Sequence, residues 1–194
     1  AGRPNLSLPV HALHGPSLPE TPIMKKTLTA LAASAALLML ANPAHAAALL
    51  KEEVTGKPAG AMVLPDGSVV TGKTSELLGA ASSLLLNALK RVAGVEKDHW
   101  VVSDEALAPI SRLKTTHLKS KNPRLHSDET LIALSISSAS NPEAKRVIEA
   151  SNQLHGCTAY FSVIISSTDE RVYRKLGINV CCEPKFERGT FYHR

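Results

Sequence analysis

The stretch Gly67-Ser68-Val69-Val70-Thr71-Gly72-Lys73-Thr74 admits two incompatible folds. Letter for letter it matches G-x-x-x-x-G-K-[ST], the loop whose backbone N–H groups cradle phosphates once a strand has stopped at the first glycine. Its surroundings say otherwise. Two β-prone runs, Gly60-Ala-Met-Val-Leu64 and Ser68-Val-Val-Thr71, flank Pro65-Asp66-Gly67. That is hairpin chemistry, with Gly67 supplying the positive φ. A hairpin commits residues 68–71 to a strand, so the same residues cannot wrap as a loop, and the hairpin is the reading we adopt.

Downstream of the hairpin the chain is expected to enter a helix at Thr74 or Ser75, either of which can cap it. Leu78, Ala81, Leu85, Leu89 and Val92 form one helical stripe, which Leu77, Leu84 and Leu86 widen nearly all round. Such a helix is usually central and buried. A milder version of the phosphate motif survives here. The N–H groups of Gly72, Lys73, Thr74 and Ser75, with the Lys73 ammonium, form a candidate anion site at the start of a buried helix.

Upstream, residues 1–23 are rich in proline and small polar residues and read as disordered. Met24 opens a different segment. Lys25-Lys26, an Ala/Leu-rich run over Thr27–Leu40, the break at Asn42-Pro43 and the small-x-small triplet Ala44-His45-Ala46 match a secretory leader. On that reading 24–46 is removed and Ala47 begins a mature, exported domain over 47–186, with 187–194 as a tail. The apolar run is short for a permanent span, so no membrane span is expected in the mature chain.

Later segments alternate. A short helix is expected over Ala47–Val54, a strand over His99–Ser103, and a helix from Ser103 or Asp104 to about Thr115. Further helices are expected from Asp128 to Ser137, capped by Ser127, and from Asn141-Pro142 to near Gly156. A strand over Thr158–Ile165, a helix capped by Thr168 or Asp169, and a last strand over Ile178–Cys182 complete the order. The expected architecture is a three-layer α-β-α domain: a mixed five-stranded sheet that opens with an antiparallel hairpin, with its later strands parallel.

Composition narrows the functions. Of the 194 residues, 44% are hydrophobic and 20% charged, which fits one ordinary domain. Aromatic residues make up only 4% and the formal charge is +5. After residue 46 there remain 19 basic and 16 acidic residues, interspersed. Neither a base-stacking platform nor a basic stripe is present, so no nucleic-acid partner is expected.

Asn122-Pro-Arg-Leu-His-Ser-Asp-Glu129 sets Arg124, His126 and Asp128 at a loop-to-helix entry. An anion-holding arginine, an acid/base histidine and a carboxylate make these the candidate catalytic residues. A capped helix with a charged, solvated first turn is the simpler explanation of them, since caps and charged first turns are common. Cys157, Cys181 and Cys182 lack metal-ligand spacing; Cys157 pairs with one of the other two if their strands adjoin, or all three are buried thiols.

The order of elements resembles the cytidine deaminase fold. That chemistry needs His or Cys with Glu two residues on at one helix start, and Pro-Cys-x-x-Cys at the next. Thr74-Ser75-Glu76 and Ser103-Asp104-Glu105 stand there instead, so neither zinc nor another metal is expected. Several separate stretches carry a closer resemblance: Asp66-Gly-Ser-Val-Val-Thr-Gly-Lys-Thr-Ser75, Leu84-Leu-Leu-Asn-Ala-Leu-Lys90, Asn122-Pro-Arg-Leu-His126, Leu131-Ile-Ala-Leu-Ser-Ile136, Arg174-Lys-Leu-Gly-Ile-Asn179 and Cys182-Glu-Pro184. In this order they resemble the C-terminal domain of a bacterial family catalogued as domain of unknown function 1846. Tyr160 stands where the resemblance implies a histidine after Gly156-Cys-Thr-Ala159.

Members of that family are longer, with a large N-terminal portion and no leader. The resemblance thus implies a missing partner domain and a cytoplasmic location, against export by the leader. Two functions follow as expectations. One is a non-catalytic or half-site module that binds a small anion or a partner, with self-association left open and no cofactor required. The other is a phosphate- or nucleotide-handling enzyme built on the 67–74 segment.

Overall fold

In a computed structural model, residues 42–187 are described; the disordered segment expected over 1–23, most of the 24–46 leader and the tail beyond Glu187 lie outside them. Helix α1 (Pro43–Thr55) begins where Pro43 can occupy the first helical position and the Asn42 side chain accepts from the His45 N–H at 3.1 Å. Gly56 ends it in the left-handed conformation. This helix runs straight through the Ala46–Ala47 junction. Ala44 and Ala48 are fully buried against Ala61, and His45 Nε2 sits 2.5 Å from the Glu183 carboxylate. A chain started at Ala47 is therefore expected to be less stable than one started at Asn42. Loss of the cap costs about 1 kcal/mol, and two buried alanines go with it; thermal denaturation of the two chains checks this.

The hairpin forms as expected. Strands β1 (Ala59–Val63) and β2 (Val69–Lys73) are antiparallel, from Ala59↔Lys73 to Val63↔Val69, and Gly67 turns at φ 79°. The helix after it does not begin at Thr74 or Ser75. Ser75 instead closes a tight turn, donating its N–H to the Leu78 carbonyl and accepting from the Leu78 N–H, each at 2.9 Å. Leu77, Leu78 and Gly79 then lie against Leu125, and α2 (Ala80–Val92) starts only afterwards.

The helices that follow are α3 (Asp104–Arg112), continued by a wide turn over Leu113–His117, α4 (Ser127–Ser137) and α5 (Pro142–Glu149), continued by a 3₁₀ turn to Leu154. Strand β3 (Thr158–Phe161), α6 (Ser167–Lys175) and β4 (Asn179–Cys182) close the fold. Sheet order is β2-β1-β3-β4. β3 runs antiparallel to β1 and parallel to β4, so the mixed sheet and its opening hairpin are as expected.

Among the described residues the expected count of five strands is corrected to four. Residues 99–103 are irregular because side chains, rather than a ladder, satisfy their backbone. The buried Lys90 ammonium donates to the carbonyls of Lys97 and His99, and the Ser103 N–H donates to Ser137 Oγ at 2.9 Å. Trp100 stands in solvent, 72% exposed. The disulfide also fails to form: all three cysteines are free, Cys157 buried, Cys181 and Cys182 exposed. In the β3–β4 register Tyr160 and Phe161 face Cys181 and Cys182, which puts Cys157 beyond their reach along the strand.

One face of the sheet carries α1. On the other, Leu84, Leu85, Ala88 and Leu89 of α2 pack with Met62, Phe161 and Tyr173 of α6 into the main core. The Tyr173 ring meets Phe161 edge-on at 5.5 Å, and its hydroxyl donates to the Ala81 carbonyl at 2.8 Å. That bond ties α6 to the first turn of α2, where the candidate site lies.

Candidate functional site

The segment 122–126 runs extended along the start of α2. The Leu125 N–H donates to Leu77 O at 2.8 Å, and Leu125 O accepts from Ser82 Oγ at 2.7 Å. Leu125 is buried, so its neighbours Arg124 and His126, two residues apart in extended chain, both project to its other side. Local sequence thus pairs these two residues, and tertiary structure brings them their partners.

His126 Nδ1 lies 3.0 Å from Asp169 Oδ2, although 43 residues separate them. Asp169 stands in the first turn of α6, which Ser166 caps. Its carboxylate is buried and accepts from the Ser127 N–H at 2.8 Å, from Ser127 Oγ at 2.7 Å and from Ser166 Oγ at 2.6 Å. Burial pushes the Asp169 carboxyl up, but hydrogen bonds from His126, Ser166 and Ser127 outweigh it, and the group sits below its ordinary range. The same bond to Asp169, working against burial, lifts the His126 imidazole above its ordinary value. His126 is therefore fixed in orientation and biased towards the protonated state.

Asp128, the carboxylate adjacent in sequence, is turned away: its Oδ1 accepts from the Glu129 N–H at 2.9 Å. Glu129 in turn binds the His126 N–H and the buried Lys114 ammonium, at 2.8 and 2.7 Å. Arg124 donates from Nε to Ser75 O at 3.0 Å, and its Nη1 meets Glu187 at 3.3 Å.

A cavity opens at the first turn of α2 and adjoins a second that lies beyond Thr74 and Arg124. The inner one, about 40 Å³, is walled by Thr74, Gly79, Ala80, Arg124, Ser166 and Asp169 among others. The outer one, about 360 Å³, shares Thr74 and Arg124 and reaches Glu52 and Lys185. No side chain caps α2, and its first turn has no acidic residue. Thr74 is 2% exposed, and its hydroxyl has no hydrogen-bond partner among the described residues. No fully enclosed side-chain oxygen or nitrogen among them lacks a partner, so that hydroxyl faces the cavity.

Of the four residues named for an anion, only Thr74 reaches this place. Gly72 packs on α2: a Cβ there would lie 2.2 Å from Leu84 N. Lys73 alternates to the opposite face of the sheet and is exposed. Ser75 is spent on its turn. The Gly72 and Thr74 N–H groups point to β1, the latter donating to Pro58 O at 2.8 Å, while the Lys73 N–H points to the open edge of the sheet, away from the cavity. The Walker-like letters therefore form no phosphate loop. Asp169, Ser166 and Ser127 stand around His126 at the candidate site, a grouping that sequence reading missed. Their available signal, a cap three residues before an acid, is shared by most helices. Among the described residues no three His, Cys, Asp or Glu side chains converge as a metal set, and no helix is long and apolar enough to cross a membrane.

Comparison with known proteins places the domain in a family. The profile described as domain of unknown function DUF1846, C-terminal, matches residues 40–192. A UPF0371 protein of Corynebacterium efficiens is 48% identical over 149 residues, 77% of this chain and 30% of its own length. One from Corynebacterium diphtheriae is 46% identical over 143 residues, 74% of this chain and 29% of its own. A Streptococcus thermophilus relative is 45% identical over 148 residues, 76% and 30%. The chain thus spans less than a third of the length of the curated relatives it matches, and their names specify no activity. By profile and by identity alike, the chain belongs to the DUF1846 (UPF0371) family and carries its C-terminal domain.

Proposed function

We propose that this domain binds a small anion at the start of α2, as a half-site that the remaining portion of the longer relatives completes. One observation carries the reading: the buried, unpartnered Thr74 hydroxyl faces a cavity bounded by Arg124 and by an uncapped helix N-terminus. Helix dipole, N–H groups, hydroxyl and guanidinium all favour negative charge at that point. The neighbouring Asp169 opposes it weakly, because His126, Ser127 and Ser166 already take up its carboxylate.

The test is a thermal-shift titration of residues 42–194 with phosphate, sulfate and small carboxylates. Ligand at ten times Kd stabilises by about 1.4 kcal/mol, roughly 3 °C for a domain of this size. Thr74→Val and Arg124→Gln are expected to abolish the shift and Lys73→Ala to keep it. No shift with any anion would end the reading.

A second reading, a phosphate-handling enzyme, draws on the His126–Asp169 pair beside the same cavity, since an imidazole held by a carboxylate is acid/base machinery. Turnover of phosphate esters that His126→Ala abolishes would favour it. Export through residues 24–46 and self-association stand as further proposals. For export, a cut after Ala46 takes away the first turn of α1.

A further inference from the structure

We propose that the group recognised at this site is a carboxylate, and that Glu187 is its built-in competitor, seated on Arg124 until a ligand displaces it. The inference rests on the anion reading above and goes on to name the ligand class and its control.

Glu187 Oε1 lies 3.3 Å from Arg124 Nη1, with both side chains largely buried. Glu187 and its neighbour Phe186 line the inner and the outer cavity alike. The chain's own carboxylate therefore stands where an incoming anion must meet Arg124. The strap that delivers it is anchored just upstream: Lys185 O accepts from the Ile164 N–H at 2.8 Å, and Lys185 Nζ pairs with Glu52 at 2.6 Å. Beyond that anchor Phe186 is 59% exposed. Displacing Glu187 leaves the Lys185 anchor intact.

Charge and size select the ligand class. The inner cavity of about 40 Å³ takes only a few atoms, such as a single carboxylate group. Asp169 lines the same cavity, and the repulsion its hydrogen-bond partners leave is twice as large for a phosphate dianion as for a carboxylate. The Arg124 Nε–Ser75 bond presets the guanidinium plane, which suits the planar, two-oxygen geometry of a carboxylate. The Thr74 hydroxyl and the first N–H groups of α2 supply the remaining donors.

The experiment is a titration of ¹⁵N-labelled residues 42–194 with acetate and, separately, inorganic phosphate at constant ionic strength, following the Thr74, Ala80 and Ala81 amides. Wild type, Glu187→Gln, Arg124→Gln/Glu187→Gln and a chain ending at Lys185 are compared, each first checked for a native spectrum. Glu187→Gln and the shortened chain are expected to bind acetate at least tenfold tighter than wild type, and the double variant to lose the gain. Equal acetate affinity in wild type, Glu187→Gln and the shortened chain, with binding lost in the double variant, overturns the competitor while leaving anion binding in place. A gain for phosphate alone overturns the carboxylate assignment. Amides that move with neither anion in any variant overturn the anion reading, and this inference with it.

Discussion

Gly72→Ala is expected to cost this domain about 3 kcal/mol or more. The physical reason is contact with backbone. A Cβ at Gly72 would stand 2.2 Å from Leu84 N, 2.5 Å from Leu84 Cα and 2.6 Å from the Ser83 carbonyl carbon. No rotamer change relieves that overlap, so β2 must separate from α2, and with it goes the packing of Leu84 and Leu85 on the sheet. A flexible neighbour would give way more cheaply. At Gly60 the obstruction is chiefly the Phe161 ring at 2.5 Å, and there the smaller loss is expected. Folded domains hold only about 5–15 kcal/mol in reserve, so Gly72→Ala takes a large share. Urea denaturation of both variants measures it. A midpoint for Gly72→Ala equal to wild type would refute the close β2–α2 contact.

The second large effect is at Asp169. Its carboxylate accepts from His126, from Ser127 twice and from Ser166, so Asp169→Ala strands four donors at a buried site. Removing one member of a buried pair costs about 3 kcal/mol. The pH dependence has a defined sign. The folded pKa of His126 is raised above 6.5, so its contribution is fully present below pH 6.5 and is lost as pH rises through the folded value. The folded pKa of Asp169 is lowered below 3.8, so its contribution is present above pH 3.8 and is lost as pH falls through the folded value. Both are intact between those limits. Wild type is therefore expected to lose stability from pH 6 to pH 8, and Asp169→Asn to lose the His126 part of that fall. In Asp169→Asn the His126 pKa, read from its imidazole protons, should drop towards 6.5. An unchanged His126 titration would show that the pair does not form.

Local chemistry made much of the fold legible. Pro65-Asp66-Gly67 announced the hairpin, Asn141-Pro142 the start of α5 and Gly177 the stop after α6, each through a conformation that those residues favour within a few positions. Thr74-Ser75 and His99–Ser103 misled for a shared reason. Serine and threonine close turns as readily as they cap helices, and an apolar run beside a buried lysine can have its carbonyls taken by that ammonium rather than by a neighbouring strand.

At the site, sequence brought forward Arg124 and His126 because they sit together, and offered Asp128 because it is next. The structure supplies Asp169 instead. Likewise Lys73, the conspicuous charge of the Gly72–Ser75 segment, alternates away from the cavity, while the less conspicuous Thr74 faces it. Strand alternation decides which of two neighbours shares a face with α2, and that requires the register of β2 on β1.

What the sequence by itself determined is the opening hairpin, the buried central helix, the order of helices and strands from Ser127 onward and the family, because these rest on signals a few residues long or on several short stretches in fixed order. Only the tertiary structure decided the carboxylate that holds His126, the hydroxyl left open at the start of α2 and the acid that sits on Arg124. Those contacts join residues 43 and 63 positions apart, brought together when α4 packs on α6 and the chain after β4 returns past the start of α2. Hydrogen bonds act over about 3 Å, and no local pattern encodes which distant segment arrives at that range.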